Sequence, residues 1–251
     1  MKVYKDLSEI SRNENSVVTI GTFDGFHLAH REIINRVVAI KDQSKQKGIN
    51  SRSFIVTFEP HPQEVLKSKT PDIKLLTAID EKLRLFEDAG IENVLVIRFT
   101  EEFSKTNAKE FYEKYVYGGI GISDLVVGYD HLFGHDREGS FQTLIELGKT
   151  YNFNVHRVEE IDIDGKPVSS TRIRAALAGG KIEEANRLLG HEFGFDGIVV
   201  EGDKVGRTIG YPTVNLKPVK ENKVMPNEGI YCVRVIHSGK EYFGMMYHGF
   251  R

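Results

Sequence analysis

Val17-Val18-Thr19-Ile20-Gly21-Thr22-Phe23-Asp24-Gly25-Phe26-His27-Leu28-Ala29-His30 runs from an apolar strand through a glycine-bounded turn into two histidines that open a helix. The residues that follow, Arg31-Glu32-Ile33-Ile34-Asn35-Arg36-Val37-Val38, repeat apolar side chains at the three- and four-residue spacing of one buried helical face. His27 and His30 are therefore expected at or just before a helix N-terminus. There, unpaired backbone N–H groups and the positive end of the helix dipole favour an anion. Imidazoles add donors that are neutral or charged near neutral pH, which suits a phosphate whose charge changes as a bond is made and broken.

Working outward, apolar runs recur at Phe54 to Phe58, Val94 to Phe99, Leu125 to Val127 and Val155 to Val158, separated by helix-patterned segments. That alternation predicts a parallel β/α/β fold. Helices are expected over Thr77 to Ala89, stopped by Gly90, and over Asn107 to Tyr117, opened by a capping-box-like Asn107-x-x-Glu110 and stopped by Gly118-Gly119. In an open doubly wound sheet, ligands bind beyond the carboxyl ends of the strands. The His27/His30 turn, the Glu59-Pro60-His61-Pro62 turn and the Gly128-Tyr129-Asp130 loop should all emerge there. After about Gly190 the texture changes to short β-like runs such as Gly197 to Val200 and Ile230 to Ile236, with Gly and Pro turns. An α/β domain over 1–185 and an all-β domain over 186–251 are the expected organisation.

Composition narrows the classes of function. A formal net charge of −2 over 251 residues gives no sequence-independent grip on nucleic acid or an anionic membrane. The one cysteine, Cys232, has no partner for an internal disulfide, and no Cys/His spacing reads as a zinc site. No apolar run is long enough to span a bilayer, and Met1 to Glu9 does not read as a signal peptide. A cytoplasmic enzyme or binding protein with small-molecule partners is the expectation.

Ser169-Ser170-Thr171-Arg172-Ile173-Arg174 precedes the helical Ala175-Ala176-Leu177, so hydroxyls and two cations again fall at a helix start. The hydroxyls of Ser170 and Thr171 suit phosphate oxygens, and either arginine offers a forked contact.

These segments together resemble one family. The turn reads as the HxGH signature of the adenylyltransferase superfamily, with Ala29 in place of the usual glycine. Its longer GxFDGxHxxH form is similar to that of the bacterial bifunctional riboflavin kinase/FAD synthetases. The SSTRIR segment matches the same family letter for letter, and Phe58-Glu59-Pro60-His61-Pro62 matches its FxPHP segment. Val127 to Gly139 resembles its GxDFxFGxxRxG loop, with His131 where phenylalanine is commoner. Gly206-Arg207-Thr208-Ile209-Gly210-Tyr211-Pro212-Thr213-Val214-Asn215 resembles the riboflavin kinase motif GRxxGxPTxN.

The resemblance implies a Rossmann-like nucleotidyltransferase domain followed by a partial, riboflavin kinase-like β-barrel. It implies transfer of the adenylyl group of ATP to FMN, with His27, His30 and Arg174 catalytic. Gly21, Phe23, Asp24, Gly25, His27, His30, Ser170, Thr171 and Arg174 are then expected around ATP. Phe58, Pro60, His61, Asp130 and Phe133 are expected around FMN, and Gly206, Thr213 and Asn215 around the magnesium-nucleotide of the kinase, with Thr213 and Asn215 reaching Mg2+. Family kinases place their carboxylate base on a strand beyond Arg251, so riboflavin phosphorylation is expected to be weak or absent in this chain. The alternatives are a nucleotidyltransferase for another phosphorylated acceptor and a non-catalytic flavin or nucleotide sensor.

Overall fold

The computed structural model describes residues 1–66, 73–129, 141–202, 208, 210–211 and 213–249. Its body is a six-stranded, all-parallel sheet in the order β1-β4-β3-β2-β5-β6: Lys2–Tyr4, Asn93–Arg98, Arg52–Glu59, Ser16–Ile20, Asp124–Gly128 and Asn154–Val158. Central parallel strands are covered on both faces, so they appear in sequence as unbroken apolar runs. Every residue of β2 is buried, as are all but the first and last of β3. Alternate side chains feed two cores. Val18, Ile20, Phe54, Val56, Phe58, Leu95, Leu125 and Val127 pack under the helical stretch Tyr112–Ile120 and α5 (Phe141–Tyr151). Val17, Ile55, Val94 and Val126 pack under α1 (Leu28–Gln46) and α3 (Ile79–Asp88), the helices that follow β2 and precede β4.

Two expected helices differ in detail. The segment opening at Asn107 is capped as read, with the Glu110 N–H donated to the Asn107 side chain at 2.8 Å. It makes only one α-helical stretch, α4 (Ala108–Phe111), before widening to a π-helix over Tyr112–Ile120. Gly118 and Gly119 do not stop it: the wide turn runs through both and ends at Gly121, at φ +79°. A side chain at 118 would sit 2.8 Å from the Glu113 carbonyl oxygen, so glycine is what lets the wide turns close up. The helix expected from Thr77 begins at Ile79, because Thr77 is occupied elsewhere, as described below.

A third cluster joins α6 (Ser170–Ala178) and α7 (Ile182–Leu189) to Leu76, Val168 and Val224. Helix α7 continues through position 185, where the sequence reading divides the chain, and ends at Gly190 in the left-handed conformation. Between β6 and α6 lies a small hairpin, β7 (Asp162–Ile163) with β8 (Lys166–Pro167). The later strands are antiparallel: β9 (Gly197–Val200) with β10 (Asn215–Pro218), and β11 (Gly229–His237) with β12 (Lys240–His248). The β11–β12 turn has φ > 0 at both Ser238 and Gly239, the mirror-image turn that matches strand twist. Between these pairs, the chain around 219–224 returns to the body. Leu75 donates its N–H to the Asn222 carbonyl at 2.7 Å, and Val224 donates to the Leu75 carbonyl at 2.8 Å.

Candidate active site

The turn after β2 is built around a buried carboxylate. Asp24, 2% exposed, accepts the N–H groups of Leu76 and Thr77 at 3.0 Å each and pairs with the Arg174 guanidinium. Its main-chain oxygen accepts the Ser170 hydroxyl at 2.8 Å, and the Gly25 N–H is donated to Thr77 Oγ1 at 3.0 Å. One aspartate thus ties together three segments distant in sequence. Gly25 sits at φ +87°, and a Cβ there would stand 2.7 Å from the Leu76 side chain, so glycine is required on both counts.

This fixed turn delivers the histidines. His27 is the N-cap of α1, and its Nδ1 accepts the His30 N–H at 3.4 Å. The two rings stack with centroids 3.6 Å apart, and Phe23 meets His30 edge-on at 5.2 Å. Burial lowers the His27 pKa to about 4, Asp24 pulling it upward and Arg174 downward. His30 is held well below the usual range, first by burial and then by His27 and Lys82. Both rings are therefore neutral at neutral pH. Because Nδ1 of His27 accepts, its proton resides on Nε2, leaving a donor for a ligand. Nδ1 of His30 is buried and has no hydrogen-bond partner among the described residues. Buried polar atoms are rarely left so, and an orphaned one at such a place points to a missing ligand or water.

Opposite stands the start of α6. Ser169, not Ser170, is its cap, accepting the Arg172 N–H at 3.3 Å, while Thr171 is exposed on the first turn. The two arginines separate clearly. Arg172 donates to the Ile163 and Lys166 carbonyls at 2.9 Å each and so anchors the β7–β8 hairpin. Arg174 lies beside Asp24, with Nε donated to the Lys74 carbonyl at 2.7 Å.

At the end of β3, Pro60 follows a cis peptide and His61 caps α2 (Pro62–Val65), accepting the Gln63 N–H at 3.1 Å. Burial lowers the His61 pKa to about 4 as well. The Phe58 ring is 4% exposed and packs against Phe99 and Phe103, so β3 turns that ring into the core while Pro60 and His61 emerge at the sheet edge. Asp130, Phe133 and Gly206 lie outside the described residues, as does His131. Thr213 is exposed, and Asn215 opens β10.

Several residues at this edge carry no motif. Lys82 on α3 is 3% exposed, and Lys223 pairs with Glu81 and donates to the Leu76 carbonyl at 2.6 Å. Lys220 bridges Glu59 at 3.1 Å and Glu64 at 3.5 Å, and Asn222 donates to Glu64 at 2.9 Å. The signal for Lys82 was its register: it falls on the helical stripe formed by Ala78, Leu85, Phe86 and Ala89, where an apolar residue is expected.

A parallel sheet with a histidine pair at one helix start and a hydroxyl-arginine cluster at another, both at its carboxyl edge, defines an α/β phosphate-binding fold of the nucleotidyltransferase class. Residues 9–172 match the FAD synthetase family model, and residues 189–251 match the riboflavin kinase model. The bifunctional riboflavin kinase/FMN adenylyltransferase of Listeria monocytogenes is 35% identical over 231 residues, 92% of this chain and 71% of that protein. The Escherichia coli protein of the same name is 34% identical over 243 residues, covering 96% of this chain and 75% of its own length. A crystal structure from Streptococcus pneumoniae, described as a macrolide-efflux protein, superposes with a TM-score of 0.84 at 29% identity, covering 99% of this chain and 78% of its own. No helix among the described residues here is long and apolar enough to cross a membrane. The chain belongs to the FAD synthetase family of bifunctional riboflavin kinase/FMN adenylyltransferases.

Proposed function

We propose that the chain transfers the adenylyl group of ATP to FMN. The observation that carries this is the neutral, stacked His27/His30 pair held at the α1 start beside Arg174 and the α6 start. An FMN phosphate oxygen forms a bond to the α-phosphorus of ATP while the bond from that phosphorus to the bridging oxygen breaks, giving FAD and pyrophosphate. The attacking phosphate is already ionised, so positioning and charge stabilisation supply the catalysis and no covalent enzyme intermediate is needed.

In this reading His27 Nε2–H and His30 contact the α-phosphate. Ser170, Thr171 and Arg174 receive the leaving pyrophosphate, and Gly21, Phe23 and Gly25 shape the nucleotide's approach. Asp24 acts through Arg174 and Ser170, holding both in place. Flavin rests against Pro60 and His61, with Phe58 behind them, and Asp130 and Phe133 are the further proposed flavin contacts. Among the described residues no three His, Cys, Asp or Glu side chains gather as a metal cage. Magnesium fits as the ion carried by the triphosphate, neutralising charge on its oxygens. In the 189–251 part, the oxygens of Thr213 and Asn215 are the matching donors for a second magnesium-nucleotide, and Gly206 is the further proposed nucleotide contact. Riboflavin phosphorylation is proposed to be weak, because among the described residues the four strands of this part form two separate two-stranded sheets.

The test is incubation with ATP and magnesium plus either FMN or riboflavin, with products separated by chromatography. FAD and equimolar pyrophosphate from FMN, and little FMN from riboflavin, are expected. Binding of ATP and FMN without pyrophosphate release would replace the enzyme with a sensor.

A further inference from the structure

Lys82 is a buried cation with no partner among the described residues. It is 3% exposed, yet its ammonium makes no hydrogen bond or ion pair among the described residues. Neighbouring charged residues are engaged with one another: Asp24 with Arg174, Glu81 with Lys223, and Glu59 and Glu64 with Lys220. Burial lowers the Lys82 pKa, and Asp24, Glu59 and Glu64 oppose that shift. The same ammonium lies within electrostatic reach of both His30 and His61. Lys82, His30 and His61 are thus electrostatically coupled, and among the described residues the Lys82 ammonium has no hydrogen-bond or ion-pair partner, while the buried His30 Nδ1 has no hydrogen-bond partner either.

A lysine left unpaired in a protein interior destabilises the fold, and apolar residues of similar volume do better there. Its retention on the apolar stripe of α3 calls for a ligand that supplies the missing negative charge. We propose that Lys82 is a phosphate-binding residue of this site, its ammonium donating to a phosphoryl oxygen that lies against His30. Two bound groups carry such oxygens, the triphosphate of the nucleotide and the monophosphate of the flavin. The inference rests on the adenylyltransferase reading for the identity of those two ligands.

The experiment measures, by calorimetry, binding of magnesium-ATP, FMN, adenosine and riboflavin to the wild-type chain and to Lys82→Met, together with the melting temperature of each. The expected result is that Lys82→Met weakens one phosphate-bearing ligand by roughly ten- to a hundredfold, the range of a charged hydrogen bond. Adenosine and riboflavin should bind as before, and the melting temperature should hold or rise. Loss confined to ATP assigns the lysine to the donor, and loss confined to FMN assigns it to the acceptor. Wild-type affinity for both phosphate ligands, or an equal loss for their phosphate-free counterparts, overturns the proposal, and so does a fall in melting temperature with unchanged binding. Lys82→Gln keeps a polar end in the same space and serves if the methionine variant does not fold. A wild-type chain that forms no FAD defeats the functional reading. Wild-type FAD synthesis alongside unaltered binding in the variant defeats the lysine alone.

Discussion

The β2–β3 pair and the β11–β12 pair are both made of apolar-rich strands, yet they live in opposite surroundings. Val17, Val18, Phe54, Ile55 and Val56 are 0% exposed, whereas Ile230, Phe243 and Met245 are 74%, 80% and 84% exposed. The first pair is covered on one face by α1 and α3 and on the other by the Tyr112–Ile120 stretch and α5. The second is a hairpin whose strands pair, among the described residues, only with each other, and two-stranded hairpins gain little stability alone. The difference teaches where chemistry can be held to a fraction of an ångström. The histidine pair, the Asp24 clamp and the cap of α6 all sit on the fully packed sheet, whose rigidity fixes them before any ligand arrives. The 219–224 segment joins the two regions by bringing Lys220, Asn222 and Lys223 onto the body.

Acid should break the contrast most forcefully, because the histidines with lowered pKa all lie in the body. An imidazole near 6.5 in the unfolded chain and near 4 when buried binds its proton more readily once unfolded. Its stabilising contribution is complete above pH 6.5 or so and is lost as pH falls toward 4. His27 and His61 should together cost several kcal/mol across that window, an upper bound from about 1.4 kcal/mol per pH unit and group. Calorimetric melting at pH 7, 6 and 5 checks this. A flat profile would mean that the protonated rings find hydrogen-bond acceptors in the folded state.

The joint between the regions comes next. Lys223→Ala leaves Glu81 buried without its cation. The carboxylate still accepts the Ala78 and Asp196 N–H groups at 2.8 Å each, so the loss should be about 3 kcal/mol, at the low end for a broken buried pair. Urea unfolding of the single variant, and of Glu81→Gln with Lys223→Met together, measures it. The double variant should recover most of the loss. Within the site, His30→Ala should lower FAD-forming turnover about a hundredfold, the usual cost of one preorganised donor, while leaving stability nearly unchanged. Initial-rate kinetics beside a melting curve separates the two effects, and retention of most turnover would remove His30 from catalysis.

Much of the body was legible because parallel strands and amphipathic helices leave strong periodic traces, and β2 through β6 fall close to the apolar runs. Strand β1 was not, since three half-open residues at a sheet edge carry no period. The π-helix was hidden because Gly118-Gly119 reads as a stop, and nothing local announces that Leu7 and Glu113 pack close enough to need two glycines there. The histidines and the α6 start were visible as helix-opening chemistry. Asp24 was visible too, but as a ligand contact: its bonds to Leu76, Thr77 and Arg174 span 50 residues and more, which no local pattern encodes. Lys82 and Lys223 escaped for a related reason. A lysine is read as solvated by default, and only its place on an apolar stripe argues otherwise.

The smallest expected effect sharpens the comparison from the other side. Phe243→Ser and Met245→Ser remove apolar side chains from β12 that are already in water, so there is no burial to lose and no cavity to open. Stability of the body should change by less than about 0.5 kcal/mol, as at ordinary surface positions. Phe58→Ala, by contrast, empties a packed aromatic cluster and should cost roughly 3 to 5 kcal/mol. Urea unfolding followed by far-ultraviolet circular dichroism, with FAD formation assayed in parallel, reads both. If the β12 variants unfold the body or slow adenylyl transfer, the exposed face of β12 is coupled to the body, to which Arg234 of β11 and Asn227 already connect this part through Glu192 and the Leu177 carbonyl. If they do neither, adenylyl transfer does not depend on that face.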